Sequence, residues 1–151
     1  NNWSKSVTNF GGRLAFDRNG LLFMTVGERQ EQERAQKGDD HGGKVLRLRD
    51  DGTVPPDNPF AGKAGYLPEI YALGFRSPQG LAFHPDTGAL WENEHGPLGG
   101  DELNVVLPGR NYGWPLVTYG TDYDGTKIAD GTPNEVKSDS KVIDAYLGVA
   151  H

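Results

Sequence analysis

The fold class is decided by residues 74–115, GFRSPQGLAFHPDTGALWENEHGPLGGDELNVVLPGRNYGWP. This stretch holds an Arg-Ser-Pro-Gln-Gly turn at 76–80, two short apolar segments around a further turn, an acidic glycine-rich loop, and an Asn-Tyr-Gly-Trp-Pro turn at 111–115. Short apolar segments bounded by glycine, proline, asparagine and aspartate are typical of strands joined by tight turns. The stretch therefore predicts antiparallel β structure.

The same pattern occurs earlier in the chain. A Leu-Ala-Phe segment at 14–16 leads through a glycine-containing turn into a second apolar segment, and so does the Leu-Ala-Phe segment at 81–83. Their starts are 67 residues apart (81 − 14), and each hairpin is followed by another apolar segment, at 44–48 and 102–106. Four-strand units repeated on this scale are typical of β-propeller blades.

The chain has 151 residues, of which 22 are glycine and 10 are proline, which favours turn-rich β structure. At roughly 40–50 residues a blade, this length predicts an all-β propeller segment of about three four-stranded blades. We expect one partial propeller domain over 1–151, with repeat units at about 9–73 and 74–117 and a polar connection or the start of a next blade at 118–151. Closed propellers typically have four to eight blades, so we expect a piece of a longer propeller or a subunit that closes by association.

Charge and hydropathy exclude some classes of function. The net charge of −6 makes nucleic acid an unfavourable partner, and no apolar run approaches the roughly 18 residues of a membrane span. There is no cysteine, which excludes disulfides and thiolate metal sites. The segment 29–37 has helical propensity but no apolar stripe, so it is expected to form a solvated loop or a short exposed turn.

The order and spacing of these motifs closely resemble the soluble PQQ-dependent aldose sugar dehydrogenases, the glucose/sorbosone dehydrogenase family, which are six-bladed β-propellers. The resemblance extends upstream to about Asn9, through GGRLAFDRNGLLFMTVGE and GGKVLRLRDDGTVPPDNPF. It implies PQQ and Ca²⁺ as cofactors, an aldose as substrate and an external electron acceptor. It also implies a periplasmic or secreted location.

The turn at 76–80 corresponds to the family turn that binds PQQ. The resemblance implies that Arg76 is a cofactor ligand, that Ser77 replaces an asparagine contact, and that Gln79 lines the pocket. PQQ is a planar tricarboxylate, and the guanidinium of arginine pairs with carboxylates through two hydrogen bonds and stacks on flat rings. A plain surface arginine in a turn is the alternative.

The family resemblance also implies two calcium sites. The carbonyl oxygens of Gly96 and Pro97 match those that hold the Ca²⁺ next to PQQ, and a Gly-Pro turn can present oxygen ligands of the kind that Ca²⁺ prefers. Glu102, Tyr112 (through its carbonyl) and Asp122 match a structural Ca²⁺ site. An acidic pair such as 101–102 is by itself also typical of a solvated strand start.

The sequence departs from the family at the general base. Asn9 stands where the family has the histidine that takes the proton of the anomeric hydroxyl, and a carboxamide cannot accept a proton near neutral pH. Glu28 lies 19 residues further on (28 − 9), at the spacing of the acidic residue that supports this base. We therefore expect a chain whose activity is impaired or lost, unless Glu28 serves as the base.

Three functions remain open at this point. The first is part of a PQQ-dependent enzyme that oxidises an aldose at its anomeric carbon to the lactone. The second is a non-catalytic propeller domain of the same ancestry that binds Ca²⁺ or a carbohydrate, which Asn9 favours. The third is a propeller hydrolase or lactonase that uses Ca²⁺ as a Lewis acid, for which the sequence offers no recognisable set of metal ligands.

Overall fold

The computed structural model describes residues 5–126. Over this range the chain forms two antiparallel sheets and one short 3₁₀ helix, which confirms the all-β prediction. None of the helical segments found there is long and apolar enough to cross a membrane. The strands are β1 (Gly11–Phe16), β2 (Leu22–Val26), β3 (Lys44–Leu48), β4 (Ile70–Leu73), β5 (Pro78–Phe83), β6 (Leu90–Glu94) and β7 (Glu102–Val106).

The first sheet has the order β1-β2-β3-β4, so each strand pairs with its neighbour in sequence. Its first hairpin turns at Asp17, whose carboxylate accepts the backbone N–H groups of Asn19 and Leu21, both at 2.8 Å. Gly20 follows with a φ of 79°, a conformation that glycine adopts without strain. Local turn chemistry therefore fixes this hairpin, as the sequence pattern predicted.

The second sheet has the order β5-β6-β7. Its first hairpin pairs Phe83 with Leu90, and a register shift between Pro78 and Gly80 bends β5 at its start. Strands β1–β4 lie within 9–73, and β5–β7 lie within 74–117.

The described part of the chain contains two sheets, whereas its length predicted about three blades. The difference arises because the long connections at 27–43 and 49–69 carry no strand. After β7, residues 111–126 form turns, with one antiparallel bridge between Leu98 and Thr121. The rest of the predicted connection, residues 127–151, lies outside the described residues.

The main core lies between the two sheets. Phe23, Val45 and Ala72 of the first sheet pack with apolar residues of the second sheet, Leu81, Leu90 and Val106, and with Phe75 of the connecting turn. Phe75 has no exposed surface, and its ring stacks on that of Tyr112 with 4.6 Å between the centroids. Because both sheets contribute to one core, their relative placement is fixed by packing rather than by a linker.

Apolar side chains also remain on the outside of each sheet. Leu14 and Phe16 in β1 are 53% and 57% exposed, and Leu103 in β7 is 67% exposed. Exposed apolar side chains on sheet faces are expected of a propeller segment, because each blade depends on its neighbours for its core.

The prediction of a solvated loop at 29–37 was wrong in part. Residues Gln32–Gln36 form a 3₁₀ helix in which Arg34 and Ala35 are buried. The guanidinium of Arg34 makes a bidentate ion pair with the buried Asp40, with N–O distances of 2.9–3.1 Å. Arg34 pairs with Asp40, which lies outside the helix, six residues further along the chain. The burial of Arg34 therefore leaves no apolar periodicity in the sequence that would predict it.

Candidate cofactor and metal site

The turn that joins the two sheets carries the predicted cofactor residues. It lies directly after β4 and is held by a carboxylate from β6, because Glu94 Oε2 accepts the backbone N–H of Arg76 at 2.5 Å and that of Ser77 at 3.1 Å. Glu94 is buried, and burial together with the nearby Glu92 raises its pKa well above the usual value. The turn is therefore held by the carboxyl group of Glu94, and burial and the charge of Glu92 favour the neutral form of that group.

The side chain of Arg76 is enclosed rather than exposed to solvent. Its Nη1 donates to the carbonyl oxygens of His95 at 3.1 Å and Gly96 at 2.8 Å, and its Nη2 donates to the Tyr123 hydroxyl at 3.3 Å. The guanidinium carbon lies 5.3 Å from the ring centroid of Trp114 and 5.8 Å from that of Tyr123. The structure thus brings the predicted cofactor arginine into contact with a predicted calcium ligand.

Two aromatic contacts of Arg76 were not anticipated from the sequence. Trp114 belongs to the Asn-Tyr-Gly-Trp-Pro turn that the resemblance singled out, but its position against the guanidinium depends on the backbone bond from Trp114 N–H to Gly74 O, at 3.0 Å. Tyr123 lies 47 residues from Arg76 and has no local signal.

Ser77 and Gln79 are neighbours in space. Ser77 is buried, and its hydroxyl accepts a hydrogen bond from Gln79 Nε2 at 3.0 Å. Gln79 itself is exposed. A bound molecule above the turn can therefore reach Gln79, whereas Ser77 is buried and already bonded to Gln79.

The predicted base position, Asn9, is connected through Glu28 to the turn that carries Arg76. Asn9 Nδ2 donates to Glu28 Oε1 at 2.5 Å, and the backbone N–H of Glu28 donates to the Arg76 carbonyl at 3.0 Å. Glu28 is 1% exposed, and its Oε2 has no hydrogen-bond partner within residues 5–126. Burial raises the pKa of Glu28, while the Asn9 hydrogen bond and the charge of Arg76 oppose that rise.

A row of three glutamates lies on one face of the second sheet, which the register of β6 and β7 explains. Glu92 pairs with Asn104, and Glu94 pairs with Glu102. Asn104 Nδ2 bridges the two carboxylates of Glu92 and Glu102, at 3.4 and 3.2 Å. Burial raises the pKa of Glu92 to about 8, and burial also raises that of Glu102. Sequence reasoning missed Glu92, although its alternation with Leu90 on a buried strand would have placed it inside.

The calcium ligands that the resemblance implied are only partly brought together. Gly96, Glu102 and Tyr112 line one small cavity with Arg76. Asp122 instead accepts the N–H of Tyr123 at 2.7 Å in its own turn.

Within the described part of the chain, no three His, Asp or Glu side chains are grouped in a way that could hold a metal ion. The hydrolase alternative therefore gains no ligand set there. The implied sets use the carbonyl oxygens of Gly96, Pro97 and Tyr112, and the second set also uses the carboxylates of Glu102 and Asp122. Glu92 Oε1 is buried without a hydrogen-bond partner among residues 5–126, so it is an acceptor that a positively charged group could satisfy.

The family model for glucose/sorbosone dehydrogenase matches residues 1–144. The chain belongs to this family. The seven strands are accordingly a segment of a β-propeller, and the predicted family and fold class are confirmed.

Individual relatives agree with this assignment. The aldose sugar dehydrogenase YliI of Escherichia coli K12 is 51% identical over 121 residues, which are 80% of this chain and 33% of the relative. A crystal structure of a glucose dehydrogenase superposes with a TM-score of 0.79 at 56% identity, covering 84% of this chain and 37% of the other. The PQQ-bound aldose sugar dehydrogenase of Streptomyces coelicolor gives 0.69 at 38% identity, covering 81% and 35%. The chain thus spans about a third of the length of these relatives.

Glu92 makes the stability of the site depend on pH. Its pKa is about 8 in the folded chain against 4.5 ordinarily, so its contribution to stability is full below pH 4.5 and is lost as the pH rises through 8. Glu92→Gln resembles the protonated acid. In calcium-free buffer we expect it to change the melting temperature of the full-length protein little at pH 5 and to raise it by several degrees at pH 9.

Thermal unfolding followed by circular dichroism at both pH values measures this effect. Glu33→Gln, which removes an exposed glutamate of the 3₁₀ helix, is the matched control and should change nothing at either pH. An equal effect of Glu92→Gln at pH 5 and pH 9 would contradict the assignment.

Proposed function

We propose that the full-length protein is a PQQ- and Ca²⁺-dependent dehydrogenase that oxidises an aldose at its anomeric carbon to the lactone. The observation that carries this proposal is the meeting of three family motifs at one end of the sheets. Glu28 is bonded to the Arg76 backbone, and the Arg76 side chain is bonded to Gly96. Two relatives support the chemistry through their names, an aldose sugar dehydrogenase and a PQQ-bound one.

The residues around Arg76 fit an anionic, planar cofactor. A quinone such as PQQ supplies, when bound, an acceptor for the hydride from the anomeric carbon, while the anomeric hydroxyl gives its proton to a base. Arg76 Nε is buried without a partner in the described range, and Trp114 already lies over the guanidinium. A carboxylate of the cofactor would gain a charge-assisted hydrogen bond there in exchange for the carbonyl contacts of Arg76.

The calcium assignments rest on the family resemblance and are part of the proposal. The carbonyls of Gly96 and Pro97 would hold the ion beside the cofactor, and Glu102, Tyr112 and Asp122 would hold a structural ion. Partial burial raises the pKa of Glu102, and a cation beside this carboxylate would lower the cost of its ionisation.

In place of a basic histidine and its acidic partner, Asn9 would orient the substrate and Glu28 would take up the proton. A carboxylate only accepts hydrogen bonds, so Asn9 must present Nδ2 to Glu28, which leaves its Oδ1 to accept a hydrogen bond from a sugar hydroxyl. Asn9 can therefore orient a substrate without deprotonating it. Of this pair only Glu28 can take up a proton, and its raised pKa and unpartnered Oε2 suit that task.

Asn9 also favours a second function. If Glu28 cannot reach the sugar from its buried position, Asn9 leaves a propeller that binds Ca²⁺ or a carbohydrate without turnover. In either case the proposal includes a periplasmic or secreted location. It also includes packing of the exposed sheet faces against further blades or a second copy, and for the enzyme an external electron acceptor.

The cofactor role is tested by Arg76→Ala in the full-length protein. We expect PQQ affinity, measured by calorimetric titration in the presence of Ca²⁺, to fall by about tenfold or more, because a charge-assisted pair is lost. Arg110→Ala removes an exposed arginine near the same turn and should leave the affinity unchanged. Equal quinone affinity of Arg76→Ala and the unsubstituted protein would remove the cofactor role.

The base is tested by Asn9→His. A histidine at this position regains a group that takes protons near neutral pH, with Glu28 2.5 Å from the present amide as its partner. We expect the rate of dye-linked aldose oxidation to rise by about a hundredfold or more. If the protein with Asn9 is already as active as the variant, Asn9 does not occupy the position of a missing base, and Glu28→Gln then shows whether Glu28 is the base.

A further inference from the structure

Lys44 places a positive charge inside the fold. It is the first residue of β3, and its side chain has no exposed surface. Its Nζ donates to the backbone carbonyl oxygens of Arg34 at 2.8 Å, Ala35 at 3.1 Å and Gly42 at 2.6 Å. An ammonium group has three donors, so the connection between β2 and β3 fills its hydrogen-bonding capacity.

Without those carbonyl oxygens, burying the charged ammonium group of Lys44 would be costly in free energy. Burial lowers the pKa of Lys44 to about 7, and the nearby Arg34 lowers it as well, while Asp40 and Asp39 act in the opposite direction. The residues paired with Lys44 on the adjacent strands, Val26 and Leu73, carry no charge. The three carbonyl dipoles are thus the direct partners of the ammonium, and they bind it only while the connection is folded over it.

The same connection is bonded to the turn that carries Arg76. The carbonyl of Ala35 accepts the N–H of Gly74 at 3.1 Å in addition to Lys44 Nζ, and the carbonyl of Gly43 accepts the N–H of Phe75 at 3.2 Å. Ala35 O is therefore shared between the buried ammonium and the residue two positions before Arg76. At the other end of the connection, the N–H of Glu28 donates to Arg76 O at 3.0 Å.

Close packing of the two backbones leaves little tolerance in this contact. Gly43 has a φ of +68°, and a Cβ there would lie 2.5 Å from the carbonyl oxygen of Phe75. The connection and the turn are thus in direct backbone contact, and a displacement of one moves the hydrogen bonds of the other.

We infer that Lys44 is a positioning residue: its buried ammonium holds the β2–β3 connection against the 74–76 turn and so places both Glu28 and Arg76 for cofactor and substrate. This inference rests on the proposed function for the roles of Glu28 and Arg76. The three hydrogen bonds from Lys44 to the connection, which we call the Lys44 clamp, can be measured without any ligand.

The test is Lys44→Met in the full-length protein, because methionine keeps an unbranched side chain of similar length but has no donor. We expect the amides of 34–43 and 74–76 to exchange with deuterium faster than in the unsubstituted protein. PQQ affinity should fall by roughly tenfold. Lys37→Met, which removes an exposed lysine of the same connection, is the matched control and should change neither quantity.

A double-mutant cycle separates positioning from general destabilisation. If Lys44 acts through Arg76, the loss of PQQ affinity caused by Lys44→Met should largely disappear when Arg76 is already alanine. Full additivity of the two losses, or unchanged affinity in the single variant, overturns the inference. If the unsubstituted protein binds no PQQ, the proposed function fails, and the exchange rates alone then decide whether the Lys44 clamp exists.

A second measurement covers the case in which Lys44→Met does not fold. In the unsubstituted protein, acylation of individual lysines is followed by mass spectrometry with and without PQQ. Because coupling between two sites is reciprocal, bound PQQ should slow the acylation of Lys44 and leave that of Lys37 unchanged. Acylation of Lys44 at the same rate with and without PQQ overturns the inference.

Discussion

The backbone hydrogen bonds of the turn at 74–77 are the constraint on which the rest of this structure depends. Gly74 and Phe75 bond to the β2–β3 connection, Arg76 accepts a bond from Glu28, and the turn's last two N–H groups bond to the carboxylate of Glu94. The turn joins the two sheets in sequence, so these bonds also fix how the sheets meet. The core between the sheets and the candidate site therefore share one anchor.

Buried charge lies on both sides of that anchor. Lys44 lies beneath the β2–β3 connection with a lowered pKa, and Glu94 lies beneath the turn with a raised one. Each is satisfied chiefly by backbone groups, carbonyls for the ammonium and N–H groups for the carboxylate. Burying such groups is costly, and these backbone hydrogen bonds offset part of that cost.

Much of the fold was predictable because its signals are local. The repeated Leu-Ala-Phe hairpins predicted β1, β2, β5 and β6, since turn residues and alternation act within a few positions. Family resemblance pointed to Arg76 and Gly96, and the structure places them in contact. The burial of Lys44 and Glu92 was missed because charged residues are more often solvated. Lys44 depends on carbonyl groups of the connection that precedes it, and Glu92 has its partner Asn104 on the neighbouring strand.

We propose that the enclosed guanidinium of Arg76 belongs to a quinone site, and a crystal structure of the full-length protein soaked with PQQ and Ca²⁺ would test this. We expect a cofactor carboxylate within hydrogen-bond distance of Arg76, with Ca²⁺ bound to the carbonyl oxygens of Gly96 and Pro97. PQQ bound elsewhere, with Arg76 still bonded to the carbonyls of His95 and Gly96, would contradict it.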